Sequence, residues 1–106
     1  MSDPIVLLLG RKGIVVENVR EGISLKNVVL LGGTDLEEVK AAFSEHDISI
    51  VVMGAGIELA DRLEIIEHIF NVSTSATVHM KDWDSGPQGM LPFVDSVLNG
   101  LLSDFR

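Results

Sequence analysis

Ile48-Ser49-Ile50-Val51-Val52-Met53-Gly54-Ala55-Gly56 is a short, almost wholly apolar run closed by glycine. Continuous rather than alternating apolarity is what a strand covered on both faces requires, and glycine just beyond it permits a tight turn. The same design occurs twice upstream, in Ile5 to Leu9 before Gly10 and in Val28 to Leu31 before Gly32-Gly33. These stretches predict parallel, buried strands. A fourth, Ala76-Thr77-Val78-His79-Met80, alternates, with Thr77 and His79 on one face and Val78 and Met80 on the other. Half-buried alternation predicts a strand at the sheet edge.

Helical patterns lie between and after these strands. In Glu58 to Phe70, Leu59, Leu63, Ile66 and Phe70 recur at spacings of four, three and four, with Glu58, Asp61, Arg62, Glu64 and Glu67 filling the remaining surface. This predicts an amphipathic helix whose apolar stripe faces the core. Asp35 to Phe43 is a second, with Leu36, Val39 and Phe43 on one stripe and two overlapping capping patterns, Thr34 to Glu37 and Asp35 to Glu38. The last helix carries Val94, Val97, Leu98 and Leu101 on one side, and Pro92 fits only in its first turn, which places its start near Met90 or Leu91. Ile14 to Glu21 is β-branched at its start, yet parallel strands need a crossover and this stretch alone can provide the first one. It is expected to be a short helix. The order β-α-β-α-β-α-β-α then predicts an α/β fold of four βα units, flavodoxin-like or Rossmann-like, with a parallel sheet of strand order 2-1-3-4 between two helix layers.

The chain has 106 residues, enough for one hydrophobic core, so residues 1–106 are expected to form a single α/β domain. Sixteen acidic against eight basic residues give a formal charge of −8, which repels phosphate backbones and anionic membrane surfaces. Nucleic acid and membrane are accordingly not expected as partners. There is no cysteine, which excludes disulfides, thiolate metal sites and cysteine nucleophiles. Neither a basic secretory leader nor a run of roughly 20 apolar residues is present. A cytoplasmic location is the expectation.

Four βα units of this size resemble a shortened flavodoxin-like domain, and the functional family nearest in shape is the bacterial response-regulator receiver domain. Receivers carry acidic residues just after the first strand and a phosphoacceptor aspartate at the end of the third. This sequence has Gly10-Arg11-Lys12 and Met53-Gly54 at those places, so the resemblance implies shape without aspartyl phosphorylation. Ile50 to Gly56 followed by Leu59-Ala60 also looks like the opening of a dinucleotide-binding βα turn. Its third glycine position is Leu59, however, and Glu58 places negative charge where phosphates would sit.

In an open parallel sheet, ligands bind beyond the carboxyl ends of the strands where the order reverses. That brings the Gly10 to Gly13 loop beside the Gly54 to Gly56 loop. Arg11, Lys12 and Lys81 gather basic charge at this edge, either to receive a small anion or as solvated charges balancing Asp35, Glu58 and Asp82. His79 to Gly89 is expected to be a long irregular loop holding a histidine, a lysine, two aspartates, a serine and the only tryptophan. His79 is the one candidate acid or base, with Asp82 or Asp84 to orient it; the alternative is a packed strand-end histidine. His46 and His68 fall on other elements without metal-ligand spacing, and neither metal nor cofactor is expected. Trp83 is expected either to anchor a partner or to fold back over the sheet end. Lys81 is the only nearby guard for an edge strand.

The leading expectation is a non-catalytic homo-oligomeric module that binds a small anionic ligand or a protein. Its site would be Arg11, Lys12, Gly54, Gly56, Lys81, Trp83, Ser85 and Gly86. The competing ones are an enzyme on a small phosphorylated or carboxylated substrate, with His79 as acid or base, and a purely structural partner subunit. Self-association would use edge pairing, helix packing through Leu98, Leu101 and Leu102, or Trp83.

Overall fold

A computed structural model describes residues 3–10 and 16–102. The strands are β1 (Ile5–Leu9), β2 (Val29–Gly33), β3 (Ile48–Met53) and β4 (Thr77–Met80), and the helices are α1 (Val16–Gly22), α2 (Leu36–Glu45), α3 (Leu59–Val72) and α4 (Met90–Leu102). All strand pairings are parallel and the order is β2-β1-β3-β4, a flavodoxin-type winding with four strands among the described residues. Each face of the sheet has its own core. Leu7, Leu9, Val51 and Met53 pack beneath α2 and α3, while Val6, Leu8, Ile50 and Val52 pack beneath α1 and α4. Residues of opposite parity in β1 and β3 are thus buried on both faces, which is why both strands are continuously apolar.

Several expectations change on contact with tertiary structure. β2, at the edge that the order 2-1-3-4 gives it, is exposed at Val29 and Gly32 where a buried strand was expected, while β1 and β3 are buried at every position but Ile5 and Ser49. Gly32 and Gly33 do not form a turn. They are paired with Leu8 and Leu9, and the strand runs two residues beyond the apolar stretch. Among the described residues only Gly86, with φ 71°, uses the left-handed region that favours glycine. Helix α1 begins at Val16, and Ile14 and Val15 of the expected first helix lie outside the described residues.

The start of α2 is set by its caps. Asp35 accepts a hydrogen bond from the Glu38 N–H at 2.9 Å, and Glu38 Oε1 in turn accepts from the Thr34 N–H and hydroxyl. The reciprocal pair is that of a capping box displaced by one residue. The Thr34 hydroxyl, and next its N–H, hold the Glu38 carboxyl below its ordinary value. Helix α4 starts at Met90 with Pro92 in its first turn, and it buries Val94 and Leu98 while leaving Leu101 exposed.

Helix α3 departs most from expectation. Its buried residues are Ile65 and Ile69; of the expected core stripe Ile66 packs half-buried against that core, whereas Leu59, Leu63 and Phe70 are exposed. At 3.6 residues per turn the stripe stands about a third of a turn away from Ile65 and Ile69. The helix therefore carries two apolar faces, and the sheet takes the narrower one.

Candidate functional site

The carboxyl ends of β1 and β3 meet where the strand order reverses. Gly54 donates its N–H to Leu9 O at 2.7 Å, and Gly10 donates to Gly33 O at 3.2 Å. A β-carbon on Gly54 would lie 3.4 Å from Leu9 O, 3.7 Å from Met90 Sδ and 3.8 Å from Gly10 Cα. These are ordinary van der Waals distances, so a β-carbon fits at Gly54, and Met90, from the first turn of α4, covers the junction. Gly56 sits half-buried in the following turn. Arg11 and Lys12, expected beside it, lie outside the described residues.

The segment after β4 is an ordered sequence of turns. Lys81 donates its N–H to Met53 O, continuing the sheet ladder. Its side chain is only 5% exposed, the one buried charged side chain among the described residues, and Nζ donates to Asp82 O at 2.9 Å. Asp82 accepts from the Ser85 N–H and from the Ser85 hydroxyl, both at 2.9 Å. The Ser85 hydroxyl, followed by its N–H, holds the Asp82 carboxyl below its ordinary value, with a smaller contribution from the Lys81 charge. Gly86 then turns with positive φ, donates to Trp83 O at 3.1 Å and accepts from the Gly89 N–H at 3.0 Å, leading into a 3-10 turn at Pro87–Gly89. Trp83 projects from this braced loop with 71% of its surface exposed. It does not fold back over the sheet end. The long irregular loop of the sequence expectation is closed by its own hydrogen bonds, and Lys81 is interior where either an anion-binding or a solvated cation was expected.

His79 hydrogen-bonds Thr77 through Nε2 to Oγ1 at 2.9 Å, across one face of β4. Asp82 is committed to Ser85 instead, so the structure does not bring together the histidine and the aspartate and serine of the last loop. Among the described residues, no group of three or more His, Asp or Glu side chains is placed to hold a metal ion.

Two further features lie outside the expected site. A groove of about 260 Å³ runs between Thr34–Glu37 and Asp61–Ile65, lined by the carboxylates Asp35, Glu37, Asp61 and Glu64. It lies at the amino-terminal ends of α2 and α3, and four carboxylates make it a poor receptor for anions. On the flank of α3 away from that groove stand Leu59 (58% exposed), Leu63 (57%) and Phe70 (55%). Sequence periodicity found this stripe and assigned it to the core, because spacing alone does not say which of two apolar faces meets the sheet. No helix among the described residues is long and apolar enough to cross a membrane. Compared with protein-family models, curated proteins and solved structures, the chain matches none.

Proposed function

We propose that the chain is a non-catalytic, self-associating α/β module that docks a protein at the carboxyl edge of its sheet. The observation that carries the reading is Trp83, 71% exposed on a loop braced by Asp82, Ser85 and Gly86. A large aromatic ring held in water on a pre-ordered loop costs little further entropy when a partner covers it, which is the circumstance of an interface anchor. Lys81, Ser85 and Gly86 then serve to present the ring. The small-anion reading has weaker support, because the Lys81 ammonium is interior and already donates to Asp82 O. The acid–base reading rests on His79 alone, whose ring is engaged with Thr77.

Trp83 is the only tryptophan, so its fluorescence reports this site directly. In the free chain at high dilution its emission is that of a water-exposed indole and is quenched freely by iodide. Addition of a protein partner shifts the emission to the blue, and Trp83→Ser lowers the affinity by at least tenfold, the scale of an aromatic anchor. A protected indole at high dilution, or full binding by Trp83→Ser, overturns the docking site. Light scattering across micromolar concentrations tests self-association separately. A thermal shift with phosphate or carboxylates, abolished by Lys81→Ala, would restore the anion reading in its place.

A further inference from the structure

We infer that the self-association surface is the free edge of β4 together with the exposed flank of α3, and that its occupant is a second, antiparallel copy of the same chain. This rests on the self-associating module proposed above and names its interface.

Among the described residues β4 pairs only with β3. Lys81 N–H donates to Met53 O, and Met53 is the register partner of Met80. In a parallel ladder the odd-numbered residues of β4 therefore face β3, which turns the N–H and C=O groups of Val78 and Met80 outward. Ala76 N–H, next in that series, is taken by Ser73 Oγ at 3.1 Å, and Asp82 O is taken by Lys81 Nζ. One twofold register matches every free group, pairing Val78 with Met80 of the second copy and placing the axis at His79. An axis at Val78 would oppose Met80 to the occupied Ala76, and an axis at Met80 would oppose Val78 to the occupied Asp82. The edge also lacks protection, because Lys81, the guard expected from the sequence, is buried.

The side chains make the same choice. Val51 and Met53 lie in the core beneath α3, and their register partners Val78 and Met80 share that face, Met80 with 45% of its surface exposed. The acidic residues Asp61 and Glu64 line the groove with α2, so Leu59, Leu63 and Phe70 stand on the opposite flank, toward β4. A right-handed crossover lays α3 over β3 and β4. With strands about 4.8 Å apart, a twofold beside β4 sets the two α3 helices about 10 Å apart, a normal packing distance. Their antiparallel course brings Leu59 and Leu63 of one copy toward Phe70 of the other. At roughly 200 Å² for a whole large side chain, the exposed parts of Leu59, Leu63, Phe70 and Met80 supply about 400 Å² of apolar surface per copy. That is most of the apolar share of a stable homodimer interface of about 800 Å² per partner.

The axis predicts a specific cross-link. Residues opposed as a non-hydrogen-bonded antiparallel pair have α-carbons about 4.5 Å apart, within disulfide range. The chain has no cysteine, so His79→Cys introduces a single reporter. The wild-type chain should be dimeric by light scattering, and mild oxidation should convert His79→Cys almost completely to a covalent dimer. Thr77→Cys should stay unlinked, its two copies being offset by roughly 13 Å along the strands. Leu63→Asp should lower dimer affinity at least tenfold while its circular dichroism spectrum is unchanged. A dimeric wild type whose His79→Cys variant does not link, or links no better than Thr77→Cys, overturns this interface and leaves self-association to another surface. A monomeric wild type with unlinked His79→Cys overturns both the interface and self-association, leaving the face to a different chain.

Discussion

A β-carbon on Gly89 would stand 2.5 Å from Ser85 Oγ, 2.8 Å from Ser85 Cβ and 3.2 Å from Lys81 Cε. Ser85 is pinned by Asp82 and Lys81 is buried, so neither can yield cheaply. Gly89→Ala is expected to cost about 1–3 kcal/mol, the range for overpacking a closed site. Gly100 is the opposite case: it lies within α4 and nothing stands within 4 Å of its absent β-carbon. Gly100→Ala should gain about 0.5–1 kcal/mol by narrowing the unfolded chain and favouring helix. Urea unfolding of both variants checks the contrast, and equal effects would refute it. The sequence offers no sign of this difference, because both residues are simply glycines near an apolar run. Trp83 was legible as an unusual residue, since no apolar neighbour surrounds it in sequence, but its exposure depended on how the loop hydrogen-bonds.

At the scale of the element, α3 has two apolar sets at helical spacing, Leu59 with Leu63 and Ile65 with Ile69. The core takes the second. Ile65→Ala is expected to lower stability by about 2–5 kcal/mol through cavity formation. Leu63→Ala, measured in dilute solution where the chain is not paired with a copy, should stay within about 0.5 kcal/mol of wild type. Thermal or urea unfolding decides between the faces, and a reversed ranking would show that the stripe is buried. The caps of α2 were legible because cap chemistry is local: Asp35 and Glu38 need only each other's backbone and Thr34. The face of α3 was not, because it is set by the distant strands on which the helix lands.

Across the whole molecule, the segment after α1 is latched to α4. Asp95 Oδ1 accepts from Ser24 N–H at 2.8 Å and from its hydroxyl at 3.0 Å, while Asn99 Nδ2 donates to Ser24 Oγ and to Asp95 O. The Ser24 N–H foremost, then its hydroxyl, Asn99 and the charge of Lys26, hold the Asp95 carboxyl below its ordinary value of 3.8. A depressed carboxylate adds stability that is complete above the ordinary value and is lost as pH falls through the lower folded value. The stability gap between wild type and Asp95→Ala should therefore be constant from neutral pH down to about 5 and close progressively below 3.8. Urea titrations at pH 7, 5 and 3 measure it; a gap that persists unchanged at the lowest pH would exclude the ionised latch. Two residues 71 positions apart carry this contact, and no pattern along the chain announces it.

By itself the sequence determined the alternation of strands and helices, the parallel sheet and the edge position of β4. Those follow from local patterns: continuous apolarity in Ile5 to Leu9 and Ile48 to Met53, alternation in Thr77 to Met80, and caps at Thr34 to Glu38. The predicted order 2-1-3-4 likewise made β2 an edge, whereas tertiary structure alone decided that Lys81 is buried, that Trp83 is exposed and that the Leu59, Leu63 and Phe70 stripe faces away from the core. The physical reason is that spacing along a chain records which side chains share a face, whereas burial depends on whether a second element arrives to cover that face.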